Sequence, residues 1–266
     1  MDPLLDFNGK VALVTGGSRG LGYEMVKALA ERGADIVIAS RKLENCEKVA
    51  DEVRELGRKA LPVSAHLGRW EQCDELVELV YKEFGKLDIL INNATPTGGG
   101  LTRLESIGSE VIEGHMAVNY YAALWSMQKL FAVMKAQGGG RIINMCSLNG
   151  INAHRYSASY NASKEALRAL TRTAAAEWGA YGITCNVICP AAVSDAWGMF
   201  VQADPEGAAN LVKQIPMRRV GDSQKDIAPL AVFLASDAAG FITGNTIHAD
   251  GGGHIGGVAW NFDLPE

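Results

Sequence analysis

The run VALVT at 11–15 passes directly into the glycine-rich stretch TGGSRGLG, Thr15 to Gly22, and a helical pattern follows from Tyr23 to Glu31. A strand that feeds a glycine turn and then a helix leaves few folds open, because the helix must cross over to a parallel strand. In such a unit Gly16 permits the tight turn, Gly20 lets backbone approach a pyrophosphate, and Gly22 allows close helix packing. The helix N-terminus attracts negative charge. The order strand, loop, helix therefore predicts a dinucleotide site that includes Gly16, Ser18, Arg19, Gly20, Leu21 and Gly22.

Six more β-branched runs follow, at 35–40, 60–64, 87–92, 141–147, 183–189 and 245–249, with helical stretches between them. This alternation predicts an α/β chain: a single Rossmann-like, doubly wound domain over residues 1–266, with a seven-stranded parallel sheet and helices on both faces. Runs apolar on both sides are what a sheet covered by helices requires. No repeat, low-complexity linker or charge block marks a second domain.

Composition excludes several classes. A net charge of −5 and a pI near 5.6 give no footprint for nucleic acid. No apolar stretch approaches the roughly 18 residues of a membrane span. The start, MDPLLDF, carries acids where a secretory signal would be basic, so a cytoplasmic protein is expected. Five cysteines without a C-x-x-C pair argue against a disulfide framework, and five histidines without H-E-x-x-H predict no catalytic metal.

The stretch SASYNASK places Tyr160 and Lys164 four residues apart, on one face of a helix. An ammonium beside a phenol stabilises phenolate and suits the hydroxyl to acid/base work near neutrality. Tyr23 and Lys27 have the same spacing, so spacing alone does not choose between the pairs. Tyr23 lies on the helix that follows the glycine loop, far in sequence from other candidate residues, and reads as a solvated face.

Other motifs choose. The chain carries TGGSRGLG, the triplet Asn92-Asn93-Ala94, Asn119 in MAVNYYA, Ser147 after the fifth run, YNASK at 160–164, NVICP at 186–190 and FITGNTIHADGG near the end. In these it resembles the short-chain dehydrogenase/reductase family across nearly its whole length, in the compact form with three residues between Gly16 and Gly20. Ser147 stands 13 residues before Tyr160, the separation seen in that family. The resemblance implies Tyr160 as proton donor or acceptor, with Lys164 lowering its pKa and holding the nicotinamide ribose. It also implies Ser147 as a hydrogen-bond donor to the substrate oxygen and Asn119 as holder of a relay water. His66, Leu67, Asn93, Pro190 and Val193, with Tyr160 and Lys164, are further expected cofactor contacts. Departures from the family pattern fall near the nicotinamide: Thr95 and Ala191 replace glycines, Asp195 replaces a threonine, and His66 stands where an acid is common.

The implied activity interconverts a secondary alcohol and a carbonyl in a small-molecule substrate. One alternative is a 3-oxoacyl carrier-protein reductase, for which Arg168 and Arg172 would supply a basic docking surface; another is a catalytically silent cofactor-binding relative. The substrate pocket is expected at Thr95 to Gly100 and Asn149 to Tyr156, where His154 and Arg155 could meet a polar group. A lid is expected at about 194–213 and a tail at about 254–266. Relatives also imply a homotetramer, or a smaller homodimer, paired through helices at about 108–135 and 157–180 that carry Trp125 and Trp178.

Cofactor choice rests on Ser40, Arg41 and Lys42 after the second run. An acid there would bind a ribose 2′-hydroxyl, whereas a 2′-phosphate needs positive charge. Arg41, Ser40 and Arg19 predict a preference for NADP(H) over NAD(H).

Overall fold

The computed structural model describes residues 2–96 and 101–255. Seven parallel strands form one sheet in the order β3-β2-β1-β4-β5-β6-β7. They are β1 (Val11–Thr15), β2 (Asp35–Ser40), β3 (Ala60–Ser64), β4 (Ile89–Asn92), β5 (Gly140–Met145), β6 (Ile183–Pro190) and β7 (Thr246–Ala249). The chain builds outward from β1 to β3, returns, and builds the other way from β4. This reversal opens a crevice at the carboxyl ends of β1 and β4, where such sheets hold ligands.

The connecting helices are α1 (Gly20–Ala30), α2 (Leu43–Glu55), α3 (Trp70–Phe84), α4 (Ser109–Met116), α5 (Ala122–Ala136), α6 (Leu148–Ile151), α7 (Ala158–Trp178), α8 (Asp195–Ala203), α9 (Pro205–Gln214) and α10 (Ala228–Ala235). Strand alternation divides the core between two layers. Ala12 and Val14 pack with Met25 and Leu29 of α1, Val49 of α2 and Val232 of α10. Val11 and Leu13 face the other way, onto Leu76 of α3, Met127 of α5 and Ala175 of α7.

Two expectations need correction. The run at 87–92 becomes strand only from Ile89, just after Asp88, whose carboxylate accepts the Val11 N–H at 2.8 Å. The helix expected as one piece from about 108 to 135 is interrupted by a wide π-turn, Ala117–Tyr121, between α4 and α5. Asn119 lies in that turn, and π-turns concentrate at functional positions. Pocket residues Thr97 to Gly100 and tail residues 256–266 lie outside the described residues.

Candidate active site

The glycine loop closes as its sequence requires. Gly20 sits at φ +55°, and a Cβ there would meet nothing within 4 Å, so the left-handed backbone and not crowding calls for glycine. Gly22 is the opposite case, since a Cβ would lie 2.2 Å from the Gly16 carbonyl oxygen and force α1 off the turn. Asn93 secures the loop from β4: its side-chain amide donates to the carbonyls of Thr15 at 3.0 Å and Gly16 at 3.2 Å. The Thr15 hydroxyl accepts from the backbone N–H groups of Asn93 and Ala94 in return. Asn93 thus shapes the cradle through its side chain.

Ser18 donates to Ser40 at 2.9 Å, which joins the glycine loop to the end of β2. Arg19, Arg41 and Lys42 are exposed around this junction, and no carboxylate stands among residues 40–42. The exposed His66 follows β3, with its backbone N–H on Gln72, while Leu67 is buried beneath it. Pro190 ends β6, and the backbone N–H of Val193 donates to Gly221 at 2.8 Å. Cradle, helix N-terminus and basic rim together fit a dinucleotide phosphate. The Asp195 side chain lies outside what the structure describes. Where the lid was expected, at about 194–213, the chain forms α8 and α9.

The catalytic candidates converge at the carboxyl ends of β4 and β5. Lys164 is buried, and its ammonium donates to the Met145 carbonyl at 2.8 Å while lying 5.6 Å from the centre of the Tyr160 ring. Ser147 begins α6 by accepting from the Asn149 N–H at 3.1 Å. Asn119 is buried; its amide donates to Ser163 at 2.9 Å, and Ser163 donates to the Tyr160 carbonyl at 2.8 Å. The other end of that amide, Oδ1, has no protein partner, and neither has the buried Ser126 hydroxyl. Both residues line one small cavity with Thr15, Asn92 and Leu67. A buried acceptor beside a buried hydroxyl suits an ordered water.

The second tyrosine is a different object. Tyr23 is part-buried and donates to Glu52 of α2 at 2.7 Å, so it is a tie between helices and not the solvated face expected. This hydrogen bond, with burial, pushes its pKa up to about 12, away from acid/base use.

Several site-supporting residues escaped the sequence. Asn144 of β5 is fully buried, accepts from Asn92 of β4 at 2.8 Å and donates to Thr171 of α7 at 2.8 Å. This polar ladder locks together the three elements that carry the site. Its one signal was an asparagine between Ile143 and Met145 inside a strand run. Cys146 lies between Met145 and Ser147, but burial pushes its thiol to about 12 and leaves it no nucleophilic role. Arg168, considered for docking, is held by Glu165 of its own helix. Among the described residues no three His, Cys, Asp or Glu side chains group as a metal site, and no helix is long and apolar enough to cross a membrane.

Residues 16–254 match the sequence family described as enoyl-(acyl carrier protein) reductase. The chain belongs to the short-chain dehydrogenase/reductase family. Among curated members of that family, 12α-hydroxysteroid dehydrogenase of a Clostridium species is 33% identical over 256 residues, 92% of this chain and 97% of that enzyme. The 3-oxoacyl-[acyl-carrier-protein] reductase FabG of Staphylococcus epidermidis is 34% identical over 251 residues, 91% of this chain and 98% of that enzyme. A solved member, 7α-hydroxysteroid dehydrogenase complexed with NADH and 7-oxo glycochenodeoxycholic acid, superposes with a TM-score of 0.89 at 30% identity, covering 95% of this chain and 97% of that one. This short-chain dehydrogenase/reductase is accordingly an NAD(P)-dependent oxidoreductase of the alcohol and carbonyl interconverting kind.

Proposed function

We propose that the chain is an NADP(H)-dependent oxidoreductase that interconverts a secondary alcohol and a ketone or aldehyde, with Tyr160 as general acid and base. The observation that carries this reading is the burial of Lys164 behind Tyr160, its ammonium fixed on the Met145 carbonyl. Met145 takes one of three ammonium donors, which leaves two for the ribose and the phenol side of the site. Removing a charged amine from water is costly unless it is paired or hydrogen-bonded, a need the Met145 carbonyl meets only in part.

A bound nicotinamide supplies the hydride in reduction and accepts it in oxidation. In reduction the Tyr160 hydroxyl gives its proton to the substrate oxygen as the carbonyl carbon gains the hydride; in oxidation the phenolate takes that proton back. Ser147 donates a hydrogen bond to the same oxygen as charge develops. Asn119, through its unpartnered Oδ1, holds the water that resupplies the proton. Arg41, Ser40 and Arg19 recognise the 2′-phosphate, while Gly16, Gly20 and Gly22 cradle the pyrophosphate. Helices α8 and α9 act as the lid. A homotetramer completes the reading, with α5 and α7 pairing between copies through a face that includes Trp125 and Trp178.

The test is a panel of ketones, sugars and acyl thioesters assayed with NADPH and with NADH, for wild type and Tyr160→Phe. The reading requires a carbonyl reduced better with NADPH and a loss of turnover by orders of magnitude in the variant, with cofactor affinity nearly unchanged. Preference for NADH, or an active Tyr160→Phe enzyme, overturns it.

A further inference from the structure

Helix α4 buries one side chain, and it is a histidine: His115, 5% exposed, is the single buried residue of Ser109–Met116. A position that anchors a surface helix ordinarily takes an aliphatic residue. The imidazole here meets the candidate catalytic tyrosine edge to face, with ring centres 5.8 Å apart and planes at 79°. Among the described residues no other aromatic ring is in contact with Tyr160. The histidine is itself held, since Nδ1 lies 3.0 Å from the Val111 carbonyl one turn earlier. A carbonyl oxygen only accepts, so Nδ1 carries the proton and the ring plane is fixed.

Tyr160 needs such a restraint. Its ring is only half-buried, and the aryl torsion of a tyrosine is broad. Proton transfer demands an oxygen within hydrogen-bond reach, and a displacement near 1 Å can cost about a hundredfold in rate. The Lys164 ammonium, held on the Met145 carbonyl, lies 5.6 Å from the ring centre and so does not pack against the ring edge. We propose that His115 is a positioning residue: its ring, tethered to Val111, buttresses the Tyr160 phenol edge-on and holds it in the orientation for proton transfer. This rests on the role given to Tyr160 above.

The experiment compares His115→Leu, which keeps apolar volume without an aromatic edge, and His115→Phe, which keeps the edge, with wild type and Tyr160→Phe. For His115→Leu we expect kcat to fall roughly tenfold, below the hundredfold ceiling of a full displacement. Cofactor dissociation constant and melting temperature should hold. His115→Phe should restore kcat to within about twofold of wild type. With ring-labelled tyrosine, the carbon-13 resonances assigned by their absence in Tyr160→Phe should broaden or split in the leucine variant and stay sharp in the phenylalanine variant. Wild-type kcat in His115→Leu, equal losses in both variants, or a loss that tracks the melting temperature overturns the positioning role. An active Tyr160→Phe enzyme would instead refute the catalytic reading beneath it, so the two failures are distinct.

Discussion

Asn119 and Ser163 are joined at 2.9 Å, and Ser163 passes the connection to the Tyr160 carbonyl at 2.8 Å, which couples the π-turn to the helix bearing the candidate proton donor. Ser163 is fully buried, so nothing solvates its partner if it is lost. Ser163→Ala should strand the Asn119 donor and cost about 1–3 kcal/mol in urea unfolding, with a fall in kcat larger than any change in KM.

The ladder through Asn144 should matter to stability more than any surface contact. Asn144→Leu removes an acceptor from Asn92 and a donor to Thr171 at a site with no exposure. We expect a loss of about 2–4 kcal/mol, measured by chemical denaturation.

Tyr23→Phe should separate structure from catalysis. The variant loses the bond to Glu52 and about 1 kcal/mol of stability. Its kcat/KM should match wild type, and a large drop would contradict the assignment of Tyr160 alone as proton donor.

Cofactor choice can be inverted at the end of β2. Replacing Ser40→Asp together with Arg41→Ala puts a carboxylate where a 2′-phosphate would bind and removes a guanidinium. The ratio of kcat/KM for NADPH over NADH should fall by about a hundredfold or more, two charge-assisted bonds being worth roughly 1.5–3 kcal/mol each.

His248 should make the fold sensitive to mild acid. Burial and the stacked His254, 4.2 Å away, hold its pKa below the usual 6.5, against an opposing pull from Asp250 and a small push from Arg168. The folded state therefore favours the neutral ring, while the unfolded chain binds a proton near pH 6.5. Stability is full above that pH and declines as pH falls below it, until the folded ring protonates too. Melting temperatures at pH 7, 6 and 5 should show a decline that His248→Leu flattens.

Much of this was legible in the sequence. Runs 11–15, 35–40 and 60–64 become β1, β2 and β3 residue for residue, because β-branched runs bounded by turn residues have one use in an alternating chain. Within the YNASK segment, Ser163 meets Asn119 and Lys164 meets the Met145 carbonyl, two residues before Ser147. What sequence could not give were partners set by the third dimension. The motifs around Tyr160 set it apart from Tyr23, but that Tyr23 ties two helices together shows only once Glu52, 29 residues on, is placed against it. Ser163 and Thr171 are small polar helix residues until Asn119 and Asn144 are placed against them, 44 and 27 residues away. His115 was invisible because an isolated histidine in a helix gives no periodic signal.

The tie between Thr15 and Asn93 spans 78 residues of chain. A ribosome adding about 5–20 residues per second needs roughly 4–16 seconds to deliver the second partner after the first. Once β2 has been made, β1 has that neighbour but presents an open edge where β4 will pair, and an unpaired apolar edge invites other chains. The nascent protein cannot shape its nucleotide cradle until translation has passed Asn93. Binding of nucleotide to a growing chain should therefore begin abruptly at that length, and the shorter chains should be the ones that depend on chaperones.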